Sequence, residues 1–286
     1  MKRKVTNCLL SILVLTCVLA CKNDQLEDVQ LNYSPESNYP EYLREDSFEN
    51  DFAGFWRFQK AAPERIAISA DPTNPNNQVL RVELHPDERT HGGNRTELVI
   101  AGHDSLGYRS TYGFKFMLPD SFFKAEDSNI WFLIHQWHDE PQAGYNWKTN
   151  KHKTKPPASL IVQYTKDQGY QLVYVTGLQT GDLKEAKILR SPIQLEPNLW
   201  YEFANEILWS VYDIDGYSKP SINGEVFLKD DEPTVYARGR NMYNAEGSYF
   251  KFGLYSSGQQ KNSRTLYFDD FYIRSKRVGY APIKLD

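Results

Sequence analysis

The sequence predicts an all-β fold, a β-jelly roll in which two antiparallel sheets form a sandwich. Short runs of alternating apolar and polar residues recur between turn signals from about residue 52 onward. The 19 Tyr and 15 Phe favour pleated, half-buried surfaces. The sequence contains no amphipathic helical pattern longer than two turns and no internal repeat. We therefore expect one large β domain.

The predicted strands are the segments in which alternation is clearest. Tight turns are expected at Asp215-Gly216 and Asn223-Gly224, because these dipeptides readily adopt the left-handed backbone that two-residue hairpins require. The alternating segments are 78–84, 112–118, 159–165, 170–176, 200–209, 224–228, 249–255 and 265–274.

The first residues read as an export signal. A basic start at 2–4 precedes an apolar run at 8–20 that is too short to span a bilayer. Val18-Leu19-Ala20-Cys21 resembles a bacterial lipobox, which implies cleavage before a lipidated Cys21. An ordinary signal peptide that is cut elsewhere is the alternative. We expect a lipoprotein signal at 1–20, a polar lipid-anchored tether at 21–50, whose end could join the first strand, and the domain at 51–286.

Removal of this signal changes the charge and the cysteine count. All three cysteines lie at or before the cut, so the mature domain holds together without disulfides. It keeps 30 basic residues against 37 acidic ones, a net charge near −7. Such an acidic surface argues against nucleic acid as a partner. A polyanion could still bind a local basic groove, and Lys148 and Lys151 belong to a lysine-rich stretch that would either line such a groove or form a solvated loop.

The segment 249–255 has one apolar and one polar face. Its even-numbered residues are apolar and predict a core face, because successive strand side chains point to opposite sides. Tyr249, Lys251 and Tyr255 share the other face. Gly253 leaves a gap among them, where a ligand could approach the backbone.

The segment 129–138 is apolar on both faces at its start and becomes polar at its end, which predicts a central strand that enters a cleft. Strict alternation places Gln136 and His138 on one face with residues 130, 132 and 134. His135 and Trp137 lie opposite, with residues 131 and 133. We expect His135 to be a core histidine and His138 to be the functional one.

The segment 94–100 places Arg95 and Glu97 on one face. Such a pair could be a structural ion pair or part of a binding site. His91-Gly92-Gly93 leads directly into this strand. His91 is therefore a further candidate for the lining of the site.

Together, three segments resemble a known family. Asn94-Arg95-Thr96-Glu97-Leu98, Gln136-Trp137-His138 and Tyr249-Phe250-Lys251-Phe252-Gly253-Leu254-Tyr255 are similar, in order and spacing, to motifs of the heparin lyase I-like polysaccharide lyases and the related jelly-roll alginate lyases. The resemblance implies a concanavalin-like jelly roll with a concave substrate groove. It also implies β-elimination on a uronic-acid polysaccharide, such as heparin, heparan sulfate, alginate or glucuronan.

The resemblance also implies roles for individual residues. Arg95 and Gln136 would neutralise the sugar carboxylate, because negative charge grows beside it during elimination. His138 would remove the C5 proton and Tyr255 would protonate the leaving oxygen, although Tyr255 could do both on a syn substrate. The residues expected to contact substrate are Lys251, Tyr249, Glu97, His91, Lys148 and Lys151.

The sequence also departs from the family. The chain is shorter than the heparin lyase I proteins, and Asp139 replaces the glycine that follows their histidine. These differences put heparin as the substrate in doubt, and they leave the polymer and its sulfation open.

Two other functions occur on similar folds. A β-glucanase-type hydrolase would need a Glu-x-Asp-x-x-Glu pattern, which the sequence lacks. A lectin-like, non-catalytic lipoprotein would not need all of Arg95, Gln136, His138, Lys251 and Tyr255. We expect no cofactor, leave a structural calcium ion undecided, and expect a monomer on the bacterial outer membrane, at the cell surface or the periplasmic face.

Overall fold

The computed structural model describes most of the predicted domain and no residue before 41. Statements about structure below refer to these residues only. They are 41–104, 106–124, 130–146, 149, 155–165, 167, 169–178, 186–258 and 260–278.

The described residues form eighteen strands and two short 3-10 helices, Pro63–Arg65 and Asp120–Phe122. The first nine strands are β1 (Tyr42–Asp46), β2 (Trp56–Gln59), β3 (Ile66–Asp71), β4 (Asn74–Leu84), β5 (Asn94–Asp104), β6 (Tyr108–Met117), β7 (Trp131–Asp139), β8 (Ala158–Thr165) and β9 (Gly169–Thr176). The others are β10 (Lys187–Gln194), β11 (Trp200–Leu208), β12 (Tyr217–Ile222), β13 (Glu225–Val226), β14 (Leu228–Lys229), β15 (Glu232–Pro233), β16 (Ala237–Arg238), β17 (Ser248–Ser256) and β18 (Arg264–Arg277).

The strands form two antiparallel sheets, which confirms the predicted sandwich. One, called here the β6 sheet, has the order β13-β12-β11-β6-β18-β4-β3, with β1 beside β18 and β16 beside β12. The other, the β7 sheet, has the order β15-β14-β10-β9-β8-β7-β17-β5-β2. As predicted, β7 is a central strand, since it lies between β8 and β17.

The two sheets face each other across an aromatic core. The ring of Phe114 in β6 lies 5.8 Å from that of Phe252 in β17 and 5.4 Å from that of Phe203 in β11. All three side chains are buried. Aromatic rings remove large apolar areas from water, so this layer fixes one face of the β7 sheet against the other sheet. The opposite face of the β7 sheet carries the polar side chains described below.

The folded domain begins earlier than the sequence predicts. Strand β1 lies inside the predicted tether and pairs with β18, so the start at residue 51 is too late. The carboxylate of Asp46 accepts hydrogen bonds from the backbone N–H groups of Phe48 and Ala53 and from Nε1 of Trp56, at 2.8–2.9 Å. These bonds hold the chain from β1 to β2 against the core, and Phe48 itself is fully buried.

The segment 223–228 begins with a predicted hairpin turn but does not continue as one strand. Asn223 and Gly224 both have positive φ, 49° and 80°, and close the predicted hairpin between β12 and β13. The prediction of a single strand at 224–228 is wrong, because β13 pairs with β12 whereas β14 pairs with β10 of the other sheet. The side chain of Phe227, between them, is fully buried in the core.

A bulge in β7 reverses the predicted faces of its first half. Leu133 pairs with Ile161 whereas His135 pairs with Leu160, so Ile134 is an extra residue in β7. Ile134 and His135 therefore both point into the core. The expectation that Gln136 and His138 share a face with residues 130, 132 and 134 is wrong for this reason.

Candidate active site

Four strands of the β7 sheet bring the predicted site residues to one face. In β17, Tyr255 pairs with Arg95 of β5, which places the two side chains next to each other across the strands. Farther along β17, Lys251 pairs with Gln136 of β7. Tyr249 pairs with His138, and Gln59 of β2 pairs with Glu97. These side chains point away from the aromatic core and form a polar trough.

Glu97 is the centre of this trough. Its carboxylate is buried, with the side chain 1% exposed. Its Oε2 lies 3.1 Å from Nη1 of Arg95 and 3.3 Å from Nζ of Lys251, and its Oε1 accepts a hydrogen bond from Nε2 of Gln136. A buried carboxylate requires such partners. Glu97 therefore orients three side chains, and the ion pair between Arg95 and Glu97 that the sequence allowed is present in this cluster.

The central cluster carries a net positive charge, because Arg95 and Lys251 face the single anion Glu97. Lys251 is 2% exposed, and its Nζ also donates to Oε1 of Gln59 at 2.9 Å. Burial lowers the pKa of Lys251, and the nearby Glu97 carboxylate offsets part of this effect. Lys251 thus lies below the surface of the trough, where it supports the side chains around it.

One end of the trough is formed by Arg95 and Tyr255. The guanidinium carbon of Arg95 lies 4.2 Å from the centroid of the Tyr255 ring, a cation–π contact. Trp131 also packs against Tyr255, with the two ring centroids 5.4 Å apart and the ring planes almost perpendicular. A Cβ atom on Gly93 would lie 2.8 Å from Nη2 of Arg95 and 2.9 Å from Cε2 of Tyr255. The loop before β5 therefore packs directly on both side chains, and a Cβ atom at position 93 would displace them.

The other end is formed by His138 and Tyr249. Their rings are stacked, with centroids 5.6 Å apart and planes inclined by 26°. Burial, followed by the charges of Glu140 and Glu97, raises the pKa of Tyr249, so its phenol stays protonated. Nδ1 of His138 lies 3.1 Å from the carbonyl oxygen of Asp139 and 3.3 Å from Oδ1 of the same residue.

The two ends are separated along the strands. Tyr249, which touches His138, and Tyr255 are six residues apart in β17, a distance of at most about 20 Å along extended backbone. His138 and Tyr255 are thus on the same face but at opposite ends of the trough, with Glu97, Gln136 and Lys251 between them. The phenol in contact with the imidazole is that of Tyr249.

Of the remaining predicted residues, His91 lies at the margin of the site. It belongs to the loop that packs on Arg95, has φ of 48° and is exposed, with Nδ1 2.9 Å from Oγ1 of Thr90. Lys148 and Lys151 lie outside the described residues.

The gap expected at Gly253 does not face a ligand. A Cβ atom there would lie 2.3 Å from the carbonyl oxygen of Thr96 and 2.8 Å from Cα of Glu97. The space is filled by the backbone of β5, so the expectation that a ligand approaches Gly253 is wrong.

The core role expected for His135 is confirmed. It is fully buried, and its ring nitrogens lie 3.1 Å from the carbonyl oxygen of Lys251 and 3.0 Å from Oη of Tyr112. Burial lowers its pKa to about 3. His135 is therefore neutral in the folded protein at ordinary pH.

Three residues of the trough were not predicted from the sequence. Gln59 lies on a four-residue strand that is too short to show alternation. In the sequence Asp139 stands out only as a departure from the family, and strict alternation places Trp131 on the opposite face, because nothing in the sequence indicates the bulge. The only signal that the sequence offered for these residues is the position of the Asp139 carboxylate directly after His138.

The described residues were compared with two kinds of site, a metal-binding cluster and a membrane-spanning helix. No group of three or more His, Cys, Asp or Glu side chains there could hold a metal ion. None of the helices in this part of the chain is long and apolar enough to cross a membrane.

Solved structures show the same fold. The endo-β-1,4-glucuronan lyase from the fungus Trichoderma reesei is 14% identical and has a TM-score of 0.52, over 76% of this chain and 94% of that one. Alginate lyase AlyC3 in complex with dimannuronate is 12% identical and has a TM-score of 0.50, over 70% and 76% of the two chains. At such identities the likeness concerns the fold alone. No curated protein matches the chain.

A family model described as Polysaccharide lyase matches residues 49–272. This match covers more than three quarters of the chain, including all four strands that carry the trough. It begins close to the end of β1 and runs into β18. The chain belongs to the polysaccharide lyase family and is a polysaccharide lyase.

Proposed function

We propose that this lyase acts by β-elimination on a uronic-acid polymer without sulfate groups, such as glucuronan or alginate. The observation that carries this proposal is the charge of the central cluster. Arg95 and Lys251 share one anion, Glu97, so the cluster offers one uncompensated positive charge. This charge matches one carboxylate per sugar, and the cluster, as far as its residues are described, holds no second uncompensated cation for sulfate.

The sugar carboxylate would lie beside Arg95. Removal of the C5 proton places negative charge next to a group that is already an anion, so the site must stabilise more charge in the transition state than in the bound sugar. Glu97 fixes the guanidinium at 3.1 Å, and Tyr255 supports its face. A guanidinium held in this way needs little reorganisation during the reaction.

The elimination needs a base and an acid. Nε2 of His138 would accept the C5 proton, the electrons of the C5–H bond would form the C4–C5 double bond, and the C4–O bond would break. The leaving oxygen would take a proton from the phenol of Tyr255. For both groups to reach one sugar, the side chains must lean toward Gln136 from the two ends of the trough.

Tyr249 would hold the imidazole in this scheme. Its ring stacks on His138, and burial keeps its phenol protonated. Because it is the phenol nearest the imidazole, it is also the alternative donor to the leaving oxygen. The two tyrosines are therefore the pair of side chains to compare.

A substrate panel tests the proposal. Purified protein is incubated with glucuronan, alginate, heparin, heparan sulfate and ulvan, and the ultraviolet absorbance of the unsaturated product is followed. We expect product from a non-sulfated uronan and none from heparin. Binding of these polymers without any product would contradict the proposal and would favour a lectin-like role.

Single variants then test the residue roles. His138→Ala and Tyr255→Phe should each abolish product formation while the protein stays folded, and Tyr249→Phe should leave measurable activity. Arg95→Ala should lower kcat about 10²–10³-fold, the usual cost of losing one donor to a developing anion. Full activity of Tyr255→Phe with loss of activity in Tyr249→Phe would transfer the acid role to Tyr249.

A further inference from the structure

Asp139 has no role in the scheme above, although its carboxylate is in an unusual environment. The residue is 1% exposed, and both carboxylate oxygens are buried without a hydrogen-bond partner among the described residues. Removing a carboxylate from water without partners costs several kcal/mol. Native structures contain few such groups, and each calls for an explanation.

The imidazole of His138 lies beside this carboxylate. Oδ1 of Asp139 lies 3.3 Å from Nδ1 of His138, and the main-chain oxygen of Asp139 lies 3.1 Å from the same nitrogen. Two oxygens of one residue therefore face one ring nitrogen. An oxygen pair of this kind accepts a proton from Nδ1 and repels a lone pair there.

We infer that Asp139 is a positioning residue that holds His138 as the tautomer with its proton on Nδ1. The lone pair is then on Nε2, the nitrogen that the proposed function uses as the base. When Nε2 takes the C5 proton, the ring becomes a cation, and the negative charge at Oδ1 stabilises it. This inference rests on the proposed role of His138.

The main-chain oxygen alone does not supply this charge. Any residue at position 139 would present a carbonyl oxygen to Nδ1, so the tautomer would be partly kept in every variant. Only the carboxylate adds a negative charge beside the imidazolium. Removing the charge while keeping the size of the side chain should therefore affect catalysis and leave substrate binding intact.

Asp104 provides a matched control. It is another fully buried carboxyl, and it pairs with Ser248 on one side of β17 while Asp139 pairs with Ser248 on the other. Asp104 accepts hydrogen bonds from Tyr42 and Ser110, as well as from Oγ of Ser275 at 3.0 Å, and none of these bonds involves His138. Burial raises its pKa, so it favours the neutral form that asparagine imitates.

The experiment compares Asp139→Asn with Asp104→Asn in the full chain. We expect Asp139→Asn to lower kcat roughly 10- to 100-fold, a part of the 10²–10⁴ that proton transfer contributes, with KM changed less than about threefold. Asp104→Asn should keep kcat per folded molecule, because asparagine resembles the neutral form that burial favours at this position. Equal kcat in Asp139→Asn and wild type, or equal losses in the two variants, would overturn the inference.

Nitrogen NMR of the labelled imidazole provides a measurement that does not depend on activity. His138 should show a protonated Nδ1 and an unprotonated Nε2 in the wild type, with His138→Gln identifying its signals. The opposite tautomer would overturn the inference, whatever the activity. If His138→Ala keeps full activity while the tautomer is as expected, the proposed base is wrong and the contact with Asp139 stands.

Discussion

Among single residues, Glu97 contributes most to the site, because it is bonded to three other site residues. It is buried beside two cations and an amide, each of which would lose a partner without it. The sequence predicted that Arg95 and Glu97 share a face, since this follows from parity alone. It could not predict that Lys251 and Gln136 reach the same carboxylate, because these contacts depend on the register of β17 against two strands.

Replacing Glu97 by alanine should therefore destabilise the domain. The buried Lys251 and the partly buried Arg95 would lose their anion, and loss of one partner of a buried pair typically costs about 3–5 kcal/mol. The double variant Glu97→Ala with Lys251→Met removes one charge of each sign and should recover part of this loss. Urea unfolding measures both variants. A single variant as stable as the wild type would show that the cluster contributes no stability.

His135 should make the stability of the domain depend on pH. Its pKa is about 3 in the folded protein, against an ordinary value of 6.5, so the unfolded chain binds more protons between these values. Its contribution is complete above about pH 6.5 and is lost as the pH falls toward 3, by about 1.4 kcal/mol per pH unit.

The variant His135→Gln lacks this titration and should lose less stability on acidification. Between pH 6.5 and about 4.5, the free energy of unfolding should fall by roughly 2–3 kcal/mol more in the wild type than in the variant. Denaturant unfolding at the two pH values gives the difference. Equal pH dependence in the two proteins would contradict a buried, neutral His135.

At the scale of elements, the long strands were predictable and their irregularities were not. Alternation is visible in 249–255 and 159–165, and both segments are strands. The bulge at Ile134 adds one residue without a turn signal, so parity fails for the first half of β7. Strands of two residues, such as β13 and β14, are too short for any periodicity.

Gly253 shows how closely β17 and β5 approach at the centre of the site. Its φ of 142° is rare for other residues, and a Cβ atom would lie 2.3 Å from the Thr96 oxygen. Gly253→Ala should therefore cost roughly 2–4 kcal/mol. Gly54→Ala is the control, with no atom within 4 Å of its Cβ, and should stay within about 0.5 kcal/mol. Equal melting temperatures of the two variants would refute this account.

At the scale of the whole molecule, the fold class followed from composition and strand spacing, whereas the domain boundary did not. Strand β1 is polar and follows a polar stretch, so its sequence resembles that of a tether. Its pairing with β18 depends on residues more than two hundred positions away. A local reading of the sequence cannot detect a contact of this kind.

Membrane attachment remains a proposal from the sequence. If Cys21 carries the lipid, about 20 residues separate it from β1, a reach of at most about 70 Å. Cys21→Ser should abolish incorporation of labelled fatty acid and release the protein from the membrane fraction. Unchanged labelling of this variant would contradict the lipid anchor.

The central claim is that the residues of the trough cleave the polysaccharide by elimination and not by hydrolysis. The most direct test is to digest glucuronan in heavy-oxygen water and to weigh the new chain ends by mass spectrometry. We predict fragments whose new non-reducing end carries the double bond and is one water lighter than in a hydrolysis product, and no such fragments with His138→Ala. Fragments that carry the heavy oxygen and lack the double bond would contradict it.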